Sequence, residues 1–90
     1  MLVAIICKDK PGALQTRKNN RAAHLEHVDA SGVVTIAGPF LDDAGEMCGS
    51  LVILDVEDMT KAEEWAAKDP YALAGLFESV EIKPWKKVIG

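Results

Sequence analysis

Three side chains on one stretch carry most of the chemical potential of this 90-residue sequence: Arg17, Arg21 and His24, spaced by four and then three residues. An imidazole is the natural proton carrier near neutrality, because its ordinary pKa is about 6.5. A guanidinium presents a planar fork of donors that fits a carboxylate or a developing enolate oxygen. Tyr71 adds a phenol that donates to a substrate oxygen or simply packs. Such a set suits proton removal or delivery on a small anionic or phenolic molecule, with isomerisation, elimination or hydrolysis as outcomes. No nucleophile joins it, since Ser50 has no serine-elbow motif around it.

These residues need a scaffold that turns them inward. From Ala13 to Ala30 the pattern is helical, and at about 100° per residue Leu14, Leu25 and Val28 form one apolar stripe. Arg21 falls inside that stripe, with Arg17 and His24 along its edge. A long cation on a core-facing stripe is costly unless a partner or a polar cavity receives it. The pattern therefore predicts a pocket under this helix, lined by Arg17, Arg21 and His24. His27 points away from the stripe and is expected in solvent.

Around the helix the chain reads as alternating strands and breaks. Leu2 to Cys7 is an unbroken apolar run, expected as a strand covered on both faces and ended by Lys10-Pro11-Gly12. Gly32 is placed to close the helix in the left-handed region. Val33 to Ala37 is a second strand stopped by Gly38-Pro39, and Met47 to Val56 a third. Asp58 caps a helix from Met59 to Lys68, and Asp69-Pro70 interrupts it. Tyr71 to Phe77 reads as a short helical piece, and Val80 to Val88 as a last strand. Pro84 cannot donate to a ladder, which puts that strand at an edge.

The order β-α-β-β-α-β predicts a ferredoxin-like α+β fold. Right-handed crossovers give a four-stranded antiparallel sheet of order 4-1-3-2. Two helices cover one sheet face, yet the first and third strands are apolar on both. The economical cover for the second face is another copy of the chain, so a homodimer through sheet faces is predicted.

Composition narrows the functional classes. Apolar residues make up 49% and charged residues 27%, which is ordinary for one soluble domain spanning residues 1–90. Ten basic residues against 14 acidic ones leave a net charge of −4, which argues against nucleic acid and anionic membranes as partners. No apolar run approaches the ~20 residues of a spanning helix, and the first strand has no basic residue before its apolar run. Cytoplasmic residence is the default expectation. Cys7 and Cys48 show no metal spacing and are expected as buried thiols, side by side across the first and third strands. Trp65 and Trp85 are expected to bury against neighbours, and Glu63 and Glu64 to face solvent. His24 and His27 lack a second ligand cluster, so no metal site is predicted, and glycine-rich phosphate or dinucleotide fingerprints are missing. No cofactor is therefore expected.

Nearly end to end, the chain resembles the YciI-like (YCII-related) proteins, small dimeric α+β barrel relatives. The likeness rests on Arg17, Arg21 and His24, on Ala37-Gly38-Pro39 and Gly49-Ser50, and on Trp65-Ala66. It continues through Asp69-Pro70-Tyr71 and Ala74-Gly75 to Lys83-Pro84-Trp85-Lys86-Lys87-Val88. The resemblance implies a His–Asp pair suggestive of enzyme activity, which by match is His24 and Asp69. Asp69 beside the imidazole would fix one tautomer and favour the imidazolium. Counting the rise along each helix puts both residues near mid-height, where they can meet if the helix faces turn toward each other. Two readings follow: a cofactor-independent lyase, isomerase or hydrolase using His24 and Asp69, with Arg17, Arg21 and Tyr71 binding substrate, or a small-molecule anion-binding protein using the same pocket without turnover.

Overall fold

A computed structural model describes residues 1–90. The elements run β1 (Leu2–Asp9), α1 (Leu14–Ser31), β2 (Val34–Leu41), β3 (Met47–Asp55), α2 (Met59–Lys68), α3 (Pro70–Leu73) and β4 (Phe77–Trp85). They build the ferredoxin-like α+β arrangement, with one four-stranded sheet in the order β2-β3-β1-β4 and every neighbouring pair antiparallel. Read from the other end, this is the order 4-1-3-2 that the sequence predicts.

Alternation along the two central strands sets the layers. Val3, Ile5 and Cys7 of β1 and Val52 and Leu54 of β3 bury against Ala62 and Trp65 of α2. Both faces of a central strand are apolar, so Ala4 and Ile53 on the opposite face are also buried among their neighbours. On that opposite face Ile36, Phe40 and Trp85 remain exposed. Trp85 thus stands on the bare face, beside Leu2 across the ladder, rather than buried as expected.

Local chemistry explains the element ends. Gly32 takes φ 67° and ψ 6°, the left-handed closure that glycine adopts without a Cβ penalty. The Asp58 carboxylate accepts the Lys61 N–H and starts α2. Strand β2 continues through Gly38-Pro39 to Leu41 instead of ending there. It is an edge strand, where a proline without an N–H is tolerated. The helical piece after Pro70 is one turn rather than seven residues, because Gly75 turns the chain at φ 71° into β4. Strand β4 begins earlier and ends at Trp85, since Trp85 pairs with Leu2 and β1 offers no partner beyond. It lies at the edge, as Pro84 requires. Cys7 faces Ser50 across the ladder rather than Cys48, and both thiols are free.

Candidate functional site

The inward face of α1 is polar. Arg17 and His24 are its two buried residues, while Arg21 and Leu25 are exposed. Seven residues is two turns less about 20°, so Arg17 and His24 stack on one line, and Arg21 lies roughly 50° to the side. The helix is therefore rotated from the orientation that its apolar stripe predicts, with Arg21 at the rim rather than in the stripe's buried centre. What rotates it is the set of partners waiting for Arg17 and His24, each worth more to a buried charge or ring than Leu25 is to the core.

Asp69 receives His24. The junction of α2 and α3 aims the carboxylate inward: Asp69 N–H donates to Ala66 O and closes α2, and Pro70 then opens α3. Asp69 Oδ1 accepts from Tyr71 N–H at 3.0 Å, and from His24 Nδ1 at 2.7 Å. A carboxylate only accepts, so the imidazole carries a proton on Nδ1, and Nε2 is the ring nitrogen left free of Asp69. The aromatic ring of Tyr71 stacks on His24, with centroids 4.1 Å apart and planes 14° from parallel. Imidazole rotation is thus blocked on one face and pinned at one nitrogen.

Asp9 receives Arg17. Arg17 Nε–H donates to Asp9 Oδ2 at 2.7 Å and Nη2–H to Asp9 Oδ1 at 2.8 Å, a fork-on-fork ion pair buried on both sides. Nη2 also donates to Ser50 Oγ at 2.9 Å. The guanidinium carbon lies 4.6 Å from the centre of the Tyr71 ring, so Tyr71 is flanked by both Arg17 and His24. Sequence reasoning missed Asp9 and gave Ser50 no role. The signal for Asp9 was present: it continues the Val3, Ile5, Cys7 alternation onto the helix-covered face.

These groups border a cavity of about 360 Å³ between α1 and the β2–β3 half of the sheet, within the usual size range for small-molecule sites. Arg17, Arg21, His24, Ser50 and Tyr71 line it, together with the apolar side chains of Val28, Val34 and Val52. Asp69 stands behind His24 and is not part of the wall. A larger, more open groove of 880 Å³ runs past His27, Trp65 and the N-terminus. There His27 Nε2 meets Trp65 O at 3.2 Å and its ring packs on the indole, so His27 is half-buried rather than solvated. The indole of Trp65 is buried and donates to Ser31 Oγ.

Burial sets the electrostatics. The Cys7 thiol is pushed up to about 12, by burial first and then by Asp69 and Asp9, against an opposing pull from Arg17. It stays protonated and is no nucleophile. Burial alone would lower the pKa of Arg17, but the Asp9 bonds outweigh it and raise it. Burial raises the Tyr71 phenol above its ordinary value while nearby Arg17 pulls it down, so it remains a neutral donor at neutral pH. No group of three or more His, Cys, Asp or Glu side chains is placed to hold a metal ion. No helix is long and apolar enough to cross a membrane.

The model of the YCII-related domain matches residues 1–86. The chain belongs to that family. Protein YciI of Escherichia coli is 38% identical over 97 aligned positions, covering 98% of this chain and 99% of the relative. An uncharacterized protein of Haemophilus influenzae is 35% identical with the same coverage. Among solved structures, the 5-chloro-2-hydroxyhydroquinone dehydrochlorinase TftG of Burkholderia phenoliruptrix, in complex with 2,5-dihydroxybenzoquinone, is 35% identical. It superposes with a TM-score of 0.87 over 96% of this chain and 94% of that one. An antibiotic biosynthesis monooxygenase shares the fold alone, at 14% identity and a TM-score of 0.62 over 99% of this chain and all of that one. A YCII-related fold, a cavity of ligand size and a dehydrochlorinase as a neighbour fit a small-molecule enzyme.

Proposed function

We propose that this chain is a cofactor-independent lyase that eliminates a leaving group from a small, oxygen-rich phenolic or anionic substrate. His24 is its acid–base group and Asp69 holds and polarises that imidazole. The observation that carries the reading is the buried 2.7 Å contact between Asp69 Oδ1 and His24 Nδ1, on a histidine that lines the cavity and keeps Nε2 free of Asp69. Nε2 takes a proton from a substrate hydroxyl or ring carbon. The freed electron pair moves through the ring to the carbon bearing the leaving group, which takes up a proton to give the keto tautomer. Loss of a second hydroxyl proton then forms a second carbonyl as the leaving group departs with the pair of its own bond, leaving a quinone. The imidazolium so formed is stabilised by the carboxylate behind it. Arg21, at the rim with its guanidinium in no ion pair or hydrogen bond with the protein, attracts the substrate's negative charge. Tyr71 holds the imidazole plane and offers a neutral hydroxyl. The dehydrochlorinase activity of the TftG neighbour supports elimination over isomerisation or hydrolysis.

A second copy of the chain covering the bare sheet face belongs to the same proposal, because Ile36, Phe40 and Trp85 otherwise stand in water. The activity is tested by chloride release from 5-chloro-2-hydroxyhydroquinone. The wild-type chain is expected to turn over and His24→Gln to lose about 10²–10⁴-fold in kcat. Undiminished turnover by a folded His24→Gln protein would remove the imidazole from the mechanism.

A further inference from the structure

The hydroxyls of this chain differ in what they do with their protons. Ser31 Oγ accepts from Trp65 Nε1 and donates to Val28 O, so both of its roles are filled within the protein. Thr35 Oγ1 donates to Ile53 O. Ser50 is different. Its Oγ accepts from Arg17 Nη2 at 2.9 Å, and a guanidinium has no lone pair with which to accept in return. No protein group accepts the Ser50 proton, although the residue is 3% exposed. No fully buried side-chain polar atom in the molecule lacks a partner. Ser50 lines the cavity that His24 and Tyr71 also line.

We infer that Ser50 Oγ–H is a specificity-determining donor that reads an acceptor oxygen on the bound molecule. Asp9 and Arg17 are the positioning pair that aims it. Arg17 is held at two nitrogens by Asp9 and rests against the Tyr71 ring, so its third bond fixes one lone pair of Ser50 in a set direction. The proton must then lie away from α1 and toward the cavity. A ligand carrying a phenolate, enolate or quinone oxygen at that point completes the hydrogen bond. A ligand with a hydrogen there leaves a buried donor unpaired, which is the stronger basis for discrimination. This assignment rests on the reading of the cavity as a site for oxygen-rich rings and adds which wall residue senses the oxygen.

The test is titration of the wild-type chain and its Ser50 variants with 2,5-dihydroxybenzoquinone, followed by the ligand's visible absorbance. Ser50→Ala is expected to bind roughly 10-fold more weakly, the size of one lost hydrogen bond to a charged acceptor. Ser50→Cys keeps nearly the same volume but only a weak donor, and is expected to fall with the alanine variant. Ser50→Thr, which restores a hydroxyl, is expected to recover part of the affinity. Melting temperature reports folding for each variant, and the cysteine variant carries the test if the alanine variant does not fold. Wild-type affinity in folded Ser50→Ala or Ser50→Cys would overturn the role of Ser50 and leave the proposed reaction standing. No binding by the wild-type chain would overturn both.

Discussion

Asp69 is the residue on which geometry and chemistry are most closely joined, and two substitutions there separate them. Its Oδ1 takes hydrogen bonds from His24 Nδ1 and from Tyr71 N–H. Asp69→Ala removes the cap of α3, which costs about 1 kcal/mol. It also strands a buried imidazole N–H, which costs about 1–3 kcal/mol more. The total of about 2–4 kcal/mol corresponds to roughly 10–30 °C in Tm for a chain of this length. Asp69→Asn retains an amide oxygen that accepts both bonds, so its stability is expected to fall by only about 1 kcal/mol. The charge behind the imidazole is gone, however, and with it the support for the imidazolium. Its kcat for chloride release is expected to drop at least about 10²-fold, within the range that acid–base groups contribute. Calorimetry gives the first quantity and steady-state halide release the second. A folded Asp69→Asn variant with wild-type kcat would refute the claim that the carboxylate charge assists proton transfer. A wild-type Tm for Asp69→Ala would refute the claim that it holds the α2–α3 junction.

Other consequences are equally direct. Arg17→Ala is expected to destabilise by about 3–5 kcal/mol, because it leaves the Asp9 carboxylate buried without its partner. Arg21→Ala at the rim changes stability by less than about 0.5 kcal/mol yet weakens binding of anionic ligands, as melting and titration together would show. The Cys7 thiol titrates near 12 in the folded chain against 9.0 as its ordinary value. A raised pKa means that the unfolded state loses its proton first, so this contribution is complete below pH 9 and is lost as pH rises toward 12. Cys7→Val is expected to flatten the alkaline limb of stability against pH in urea titrations. Sedimentation equilibrium at micromolar concentration is expected to show twice the 9.7 kDa chain mass, and Ile36→Glu on the bare face to return it to the single chain.

Much of the fold was legible because period and punctuation agree. The apolar run of β1, the Asp58 cap, the left-handed Gly32 and the edge proline each dictate one local outcome, and those outcomes admit one sheet order. Strand ends were less legible, since β4 stops where β1 stops and that limit lies in another segment. Asp69 came from family likeness, and the local sequence alone reads as a turn. Arg17 and Arg21 exchanged places because the helix stripe counts only apolar residues. The rotation of α1 is decided by Asp9 and Asp69, eight and 45 positions away from the side chains they bind.

That rotation ties stability to function more tightly than usual. An ordinary surface helix is held by its apolar stripe, but the buried residues of α1 are Arg17 and His24. Val28 adds a half-buried contact, and Leu25 lines the cavity while staying half exposed. At the cavity the helix is docked by the Asp9 pair, the Asp69 contact and the Tyr71 ring that lies against both, and its C-terminal half by His27 and Ser31 against Trp65. The groups proposed to bind and turn over the substrate are therefore also the groups that seat the helix. Substitutions that leave Asp9 or Asp69 without its partner strip an anchor of α1 at the cavity, so activity and melting should fall together there. Arg21 and Ser50 are the exceptions. Arg21 makes no contact that seats the helix, and Ser50 adds one bond to an Arg17 already held twice by Asp9, so their variants can lose ligand affinity while keeping the fold.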